Sequence, residues 1–457
     1  MYKPEFLQLA KIALPLIVAQ LAQTTLSFVD TLMVGKLGND ALAGIALGGT
    51  TFFLVYVVCS GVILGVSPIV AQAVGGRKFD QVGPTVRQAL WLCLILTIPA
   101  MTLFWNIQPI LLRLGQLPDT ALASSQYLRA ISWGVFPGLG IMALRGLLEG
   151  NSDTKPIMLI AFISLGLNIY LNNVLMFGWY GLPALGLVGT GYASSIVFTV
   201  AFLMLVGYVR FRYPNYEVFN RLHGPDWASM RELLIVGVPI GLTLGFECSM
   251  FTAAGVAMGT LGKEELAAHQ IALQTASVSF TVALGLAIGS SVRVGHAIGA
   301  GSIDQARIAG HVGMVLCVIF MAICGLGFWF FPQAIIGMYI DLQQSENQQV
   351  IQLGVQFLAI AAVFQVLDGL QVSAACALRG LKDTRATMLL TLISYWGVGG
   401  SAGYYFCFVL GWRGQGLWLG MIAGLGAAAL LLVIRFQWLT KRWKDRGYLK
   451  NESERLG

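Results

Sequence analysis

Long apolar stretches separated by short polar connections fill most of the 457-residue chain. A helix needs about 20 mainly apolar residues to cross the hydrocarbon core of a bilayer. The pattern therefore predicts an all-α integral membrane protein with about twelve transmembrane helices. The predicted spans are residues 10–34, 46–74, 88–110, 122–145, 156–178, 186–209, 233–260, 266–292, 308–332, 350–377, 386–410 and 415–438.

The longest polar connection lies between the sixth and seventh predicted spans and divides the pattern into two similar blocks. We expect an amino-terminal six-helix lobe over residues 1–209, a cytoplasmic linker over 210–232 and a carboxy-terminal six-helix lobe over 233–440. Residues 441–457 are mainly polar and are expected to form a cytoplasmic tail.

Short segments of the first block recur in the second. Pro15 recurs as Pro239, and the Leu-Arg-Gly of 144–146 recurs at 378–380. Two blocks with an even number of spans insert in the same orientation, so their pseudo-twofold axis lies along the membrane normal. A central cleft between the halves is then the natural substrate site.

Charged residues make up only 11% of the chain, against about 25% in soluble domains. Most Lys and Arg residues, Arg145 among them, fall on the side of the predicted spans that also holds both termini. The positive-inside rule therefore predicts a multi-pass protein of the cytoplasmic (inner) membrane with both termini cytoplasmic. The net charge is +7, but no basic stripe with interleaved aromatic residues appears, so a nucleic-acid partner is not expected.

Three acidic residues, Asp30, Glu247 and Asp368, lie inside apolar stretches. A charge at bilayer depth costs roughly 2.5–3.5 kcal/mol on insertion scales, and such residues usually face a partner or a water-filled cavity. Glu247 is the clearest case, because it lies mid-span and its span contains no Lys or Arg. This placement predicts a transporter that handles ions or protons.

Each acid also has a structural reading. Asp30 lies six residues before Lys36, about 9 Å from the outer end of its helix, so it is either a helix-end carboxylate or a site facing the cavity. Glu247 is a hydrogen-bonded packing residue, a group that exchanges protons near neutral pH, or an oxygen ligand for Na⁺. Asp368 is a partner for a basic or amide group, or a second acid of the same site.

Four further polar or aromatic residues are candidates for supporting roles in the substrate cavity. Asn168 and Asn172 lie one helical turn apart, where they either bond neighbouring helices or support Asp30. Phe280 either packs in the core or offers its ring face to a cation. Gln270 lies near the start of the eighth predicted span.

Motifs for other chemistries are missing from the sequence. The seven cysteines form no CxxC pair, so neither a zinc site nor a disulfide framework is indicated. No GxxxxGK[ST] or HExxH motif occurs, so ATP hydrolysis and a zinc protease are not supported. We expect no enzyme activity and no cofactor, and we expect energy from an ion gradient.

Several segments together resemble the multidrug and toxic compound extrusion (MATE) family, in its NorM-like branch. They cover nearly the whole chain and are KIALPLIVAQLAQTTLSFVDTLMVGKLG, SPIVAQAVGG, LRGLLEGNSDTKP, AAHQIAL, VRVGHAIGAG and LRGLKDT. The resemblance implies a V-shaped bundle of two six-helix lobes around a central cavity. It also implies export of organic cations and amphipathic drugs in exchange for Na⁺ or H⁺. No oligomerisation signal stands out in the sequence, so we expect the protein to function as a monomer in the lipid bilayer.

The resemblance places Asp368 beside Glu247 in the carboxy-terminal lobe and Asp30 in the amino-terminal lobe. Two facing acids repel when both are ionised, so a bound cation or a shared proton is expected between them. If coupling uses sodium, Glu247 and Asp368 are the expected metal ligands. The alternative is a flippase for lipid-linked precursors or a polysaccharide exporter of similar architecture. Such proteins commonly have cationic cavities, whereas here only Arg129 is a mid-span base.

Overall fold

The computed structural model describes residues 2–181, 183–219 and 224–446, and every regular element in them is helical. Two compact units are present. The amino-terminal unit comprises residues 18–241, and the carboxy-terminal unit comprises residues 1–17 and 242–457. The lobe boundaries from the sequence stay a prediction. Most of the predicted tail, from residue 447, and linker residues 220–223 lie outside the described residues.

Two long helices, α1 (Tyr2–Gly35) and α10 (Trp227–Leu261), pass from one unit to the other. The remaining helices of the amino-terminal unit are α2 (Asn39–Ile63), α3 (Val66–Gly75), α4 (Val82–Trp105), α5 (Ile107–Arg113), α6 (Pro118–Ser132), α7 (Val135–Gly150), α8 (Lys155–Phe177) and α9 (Gly186–Arg212). Those of the carboxy-terminal unit are α11 (Lys263–Gly299), α12 (Ile303–Phe330), α13 (Pro332–Ile336), α14 (Gln348–Gly380), α15 (Thr384–Leu392), α16 (Ser401–Tyr404) and α17 (Arg413–Asp445).

Each predicted span falls on one helix or on successive helical segments. Among the described residues, ten helical stretches are long and apolar enough to cross a membrane, and counting α6 and α7, which meet at a 50° bend, as one span gives eleven. The remaining stretch, 384–409, is helical throughout but contains two π-helical segments, Ile393–Gly400 and Tyr405–Val409. These findings confirm the all-α membrane architecture.

Glycines allow the π-containing stretch to pack closely on α17. A Cβ atom placed on Gly424 would lie 2.9 Å from the Cα of Gly399, and one placed on Gly420 would contact the Cα of Gly403 even more closely. Larger residues would push the two backbones apart. Small residues four apart are a common basis for close packing of transmembrane helices.

A buried ion pair lies in α7 of the amino-terminal unit. Nε of Arg145 donates to Oε1 of Glu149 at 2.7 Å, and the two residues are only 6% and 2% exposed. Arg145 also donates to Oε1 of Gln20 on α1 at 3.3 Å. Charge counting had used Arg145 as a marker of the inner side, but its guanidinium group is buried and paired.

The beginning of the predicted linker packs against the amino-terminal unit. The hydroxyls of Tyr208 and Tyr213 donate to Oδ2 of Asp153 at 2.7 and 2.9 Å, and that of Tyr216 donates to Oδ1 of Asn151 at 2.7 Å. At the far end of the linker, Asp226 caps α10. Hydrogen bonds from the Ser229 hydroxyl and from nearby backbone N–H groups lower the pKa of Asp226.

Candidate functional site

Asp30 has a specific partner in the amino-terminal unit. Nδ2 of Asn172 donates to Oδ1 of Asp30 at 2.5 Å and lies 3.1 Å from Oδ1 of Asn168. Asp30 is half-buried on α1, whereas both asparagines are fully buried on α8. The bond from Asn172 joins α8 to α1, so it fits both readings of this amide pair, and the supporting role at Asp30 stays a prediction.

The arrangement leaves acceptor oxygens close to one another. The amide nitrogen of Asn172 is used by its contacts to Asp30 and Asn168, and its Oδ1 has no hydrogen-bond donor among the described residues. A carboxylate with neighbouring amide oxygens suits a proton or a small hard cation. The Asn172 amide also holds the Asp30 side chain in place. Asn168, one helical turn earlier, accepts from the same amide and so fixes its orientation.

Glu247 on α10 and Asp368 on α14 belong to the carboxy-terminal unit. Their carboxyl groups interact electrostatically, and Glu247 also interacts with Arg379 of α14. Asp368 is only 5% exposed, and its Oδ1 has no hydrogen-bond partner among the described residues. A buried, unpartnered carboxylate oxygen is costly, and a proton or a cation there would lower that cost.

Gln365 fixes the position of α14 one turn before Asp368. The Ser279 hydroxyl of α11 donates to its Oε1 at 2.7 Å, and its Nε2 donates to the Met321 carbonyl of α12 at 3.0 Å. Gln365 is fully buried, so both bonds form in a low-dielectric environment where hydrogen bonds are strong. Asp368 is thus carried on a helix that is anchored to two neighbours.

Phe280 and Gln270 occupy different environments on α11. Phe280 is half-buried and packs against a core cluster that includes Ala283, Met321 and Cys376. Gln270 is exposed. The ten residues between them correspond to about 15 Å along the helix, so the two side chains do not converge at one point. Their predicted part in a substrate cavity stays a prediction.

Sequence reasoning missed several polar groups of the carboxy-terminal unit. Gln365 and Gln371 are buried on α14, and Ser394 and Tyr395 are buried in the π-helical segment Ile393–Gly400. A single amide or hydroxyl residue in a long apolar span produces no periodic signal, and transmembrane helices commonly carry such residues. The one available hint was the spacing of Gln365 and Gln371, each three residues from Asp368 on the helix.

The MatE family model matches residues 15–174 and 239–404, which is more than half of the chain and covers both units. The chain belongs to the MatE family. It is 38% identical over 445 residues to a probable multidrug resistance protein NorM of Mesorhizobium japonicum, which covers 96% of this chain and 95% of that protein. As a MatE protein the chain is a membrane transporter and not an enzyme.

Solved structures share the fold of this MatE transporter. The eukaryotic MATE transporter AtDTX14 superposes with a TM-score of 0.86 at 21% identity, over 98% of this chain and 99% of that one. A MOP superfamily transporter from Pyrococcus furiosus superposes with a TM-score of 0.85 at 18% identity, over 96% and 97% of the two chains. The latter is described as having a binding pocket of reverse polarity that suggests a different function. At these identities the likeness shows the fold alone.

Proposed function

We propose that this protein is a secondary active multidrug efflux antiporter. It exports organic cations and amphipathic drugs in exchange for Na⁺ or H⁺, by alternating access. The observation that carries the proposal is the pair formed by Glu247 and Asp368, in which a buried carboxylate oxygen of Asp368 has no hydrogen-bond partner among the described residues. Relatives named as multidrug resistance proteins support the choice of cargo.

The sign of the charges on the ionisable groups favours cationic cargo over the anionic headgroups that a lipid-linked precursor flippase would carry. Asp30, Glu247 and Asp368 are acids on apolar helices. Arg129, the mid-span base expected from the sequence, is exposed and donates to the Trp105 carbonyl at 3.1 Å. Arg145 is neutralised by Glu149. The buried base of α7 is therefore paired with an acid, which favours cationic over anionic cargo.

The acid pair gives a switch that couples ion and drug. When Na⁺ or H⁺ enters from outside, it neutralises the repulsion between Glu247 and Asp368, and the helices that carry them change position. The change weakens drug binding, and the drug leaves outside. The ion then travels inward with the protein, and its release on the cytoplasmic side restores the drug-binding state. The ion drives this cycle because it binds the drug-releasing state more tightly than the drug-binding state.

The transporter also has a proposed location and topology. It lies in the cytoplasmic membrane as a multi-pass protein with both termini cytoplasmic, which the distribution of Lys and Arg supports. It works as a monomer, with Asp30 and its two asparagines acting in the amino-terminal unit. Each charge moved through 100 mV provides about 2.3 kcal/mol, which is enough for substantial drug accumulation.

Transport of an ethidium-type dye by the purified protein in liposomes tests the proposal. A Na⁺ gradient and a pH gradient are imposed separately on the wild type and on Glu247→Gln. We expect one gradient to drive the wild type and neither to drive the variant. Glu346→Gln, on an exposed loop before α14, is the matched control and should transport normally.

Two outcomes would overturn the proposal. Wild-type transport by well-inserted Glu247→Gln would show that the acid pair does not couple the ion. Absence of dye movement under both gradients, together with scrambling of a fluorescent lipid-linked phosphate, would point to a flippase.

A further inference from the structure

Arg129 in the amino-terminal unit carries a positive charge that no acid balances. It is exposed on α6, and no carboxylate among the described residues pairs with it. Within the same residues its side chain makes one hydrogen bond, from Nη2 to the main-chain oxygen of Trp105 at 3.1 Å. Asp119, the acid of the first turn of α6, lies ten residues away, about 15 Å along the helix. A charge within a membrane span is costly, so a counter-ion at Arg129 would be stabilising.

The surroundings of Arg129 are those of a membrane interface. Trp105 is the last residue of α4, so the Arg129 guanidinium lies at the carbonyl end of that helix. The Trp105 indole donates to the hydroxyl of Ser132 at 3.0 Å and packs edge-on against Trp133, with 6.1 Å between the ring centroids. Tryptophans concentrate at the level of the lipid headgroups. The guanidinium is therefore placed where phosphate groups are found.

A groove of about 390 Å³ opens between α6 and α9 next to this cluster. Trp133, one turn after Arg129, belongs to its lining. The groove leads from the end of α4 along α9, because α6 and α9 run side by side in the same direction. The full lining is Trp133, Tyr192, Ser195, Ile196, Thr199 and Val200.

Close contact between the backbones of the two helices forms the floor of the groove. A Cβ atom placed on Gly191 of α9 would lie 2.7 Å from the Cβ of Ala130, and one placed on Gly134 would lie 3.0 Å from the Cα of Ser195. The helices therefore touch at residues without side chains. The exposed side chains of Trp133 and Ile196 flank this line of contact on either side.

The polar groups of the lining are already satisfied. The Ser195 hydroxyl donates to the main-chain oxygen of Ala130 at 2.8 Å, and the Thr199 hydroxyl donates to the main-chain oxygen of Ser195 at 2.8 Å. Both bonds point the hydroxyl hydrogens at the backbone. The groove thus offers mainly carbon surface, which suits a hydrocarbon chain better than a polar molecule.

We propose that the groove between α6 and α9 binds one acyl chain of an anionic phospholipid whose phosphate pairs with Arg129. The planar guanidinium matches the geometry of a phosphate and can bind two of its oxygens. Basic pockets between transmembrane helices commonly bind lipid headgroups. An organic cation would be repelled by Arg129, whereas this lipid supplies both an anion and a chain. The site is independent of the proposed antiport.

Titration of the purified protein with dioleoylphosphatidylglycerol, followed by native mass spectrometry, tests the headgroup contact. We expect Arg129→Gln to weaken the tightest lipid binding about 10- to 100-fold, because a charge-assisted bond to the phosphate is lost. Arg113→Gln is the matched control, since Arg113 is an exposed base at the end of α5 and its loss changes the net charge equally. This variant should bind the lipid as the wild type does.

A second pair of variants keeps Arg129 and changes the groove. Val200→Trp places a large ring in the groove, so we expect phosphatidylglycerol to bind about 10-fold more weakly as its chain loses apolar contact. Leu203→Trp is the control, because Leu203 is exposed on the same helix one turn further on and does not line the groove. It should leave the affinity unchanged.

Several results would overturn the proposal. Wild-type affinity in either Arg129→Gln or Val200→Trp would exclude the site, and an equal loss in Arg113→Gln would reduce it to diffuse charge attraction. Competition by glycerol 3-phosphate at the same concentration as the lipid would show a phosphate site that needs no chain. A dimer that disappears in Val200→Trp would assign the groove to a second copy of the chain.

One further variant separates this site from the transport function. Glu247→Gln removes the proposed coupling acid and should keep the wild-type affinity for phosphatidylglycerol. Loss of lipid binding in Glu247→Gln would make the lipid a ligand of the transport pathway and contradict a site at Arg129. Failure of driven transport in Glu247→Gln, with lipid binding intact, would support both proposals separately.

Discussion

Nδ2 of Asn172 donates a hydrogen bond to Oδ1 of Asp30 at 2.5 Å and so joins α8 to α1 within the amino-terminal unit. Asn172 is fully buried, and Asp30 is half-buried. Asp30 thus has a hydrogen-bond donor, whereas the Glu247 carboxyl interacts electrostatically with Asp368 and with Arg379. The two acid sites should therefore respond differently to neutralisation.

Asp30→Asn should slow dye efflux several-fold, whereas Glu247→Gln should abolish it. The neutral amide introduced in the Asp30→Asn variant can still bond Asn172, so the packing of α1 on α8 is kept while the charge is lost. Initial efflux rates normalised to inserted protein measure the difference. Asn173→Ala is the control, because the Asn173 amide bonds its own helix at Ile169. Equal loss in Asp30→Asn and Glu247→Gln would contradict the division of roles.

Glu149→Gln should destabilise the protein by about 3–5 kcal/mol, because it leaves the buried guanidinium of Arg145 without its counter-charge. The exposed pair of Lys444 and Asp304 offers a matched comparison. Asp304→Asn should cost less than about 1 kcal/mol, since water screens that pair. Thermal unfolding of each variant in detergent is monitored by size-exclusion chromatography after heating, and the loss of stability is compared between the two variants. Equal effects would show that the burial of Arg145 has no energetic consequence.

Gly420→Ala should destabilise the carboxy-terminal unit by about 1–3 kcal/mol, because the new methyl group meets the backbone of Gly403. Gly207→Ala on α9 is the control, since a Cβ there has nothing within 4 Å. It should be neutral or slightly stabilising, as alanine favours helices. Thermal unfolding of both variants tests the close packing of α17. A neutral Gly420→Ala would show that the helices can separate without cost.

Hydropathy predicted the helical architecture well because span length is set by bilayer thickness. Residues 384–409 show the limit of that reasoning. The apolar composition of this stretch predicts a span, but no hydropathy pattern distinguishes the π-helical turns at Ile393–Gly400 from α-helical ones. The bend between α6 and α7 was likewise hidden inside one predicted span.

The site was only partly predictable. Asp30, Glu247 and Asp368 were recognisable because a charge in an apolar stretch is costly. The buried, unsatisfied hydroxyl of Tyr395 was not, because only the packing reveals it. Arg145 was assigned to the inner surface by charge counting, because its pairing with Glu149 one turn away was not considered.

Drug affinity as a function of Na⁺ and pH tests the central claim most directly. Equilibrium binding of a fluorescent cation is titrated in nanodiscs for the wild type, Glu247→Gln and Asp368→Asn. Linkage requires that an ion coupled to drug release raises the drug Kd, by about 5- to 150-fold for typical coupling. We predict such a rise in the wild type and its absence in both variants. The same ion-dependent rise in the variants would show that Glu247 and Asp368 do not couple ion to drug.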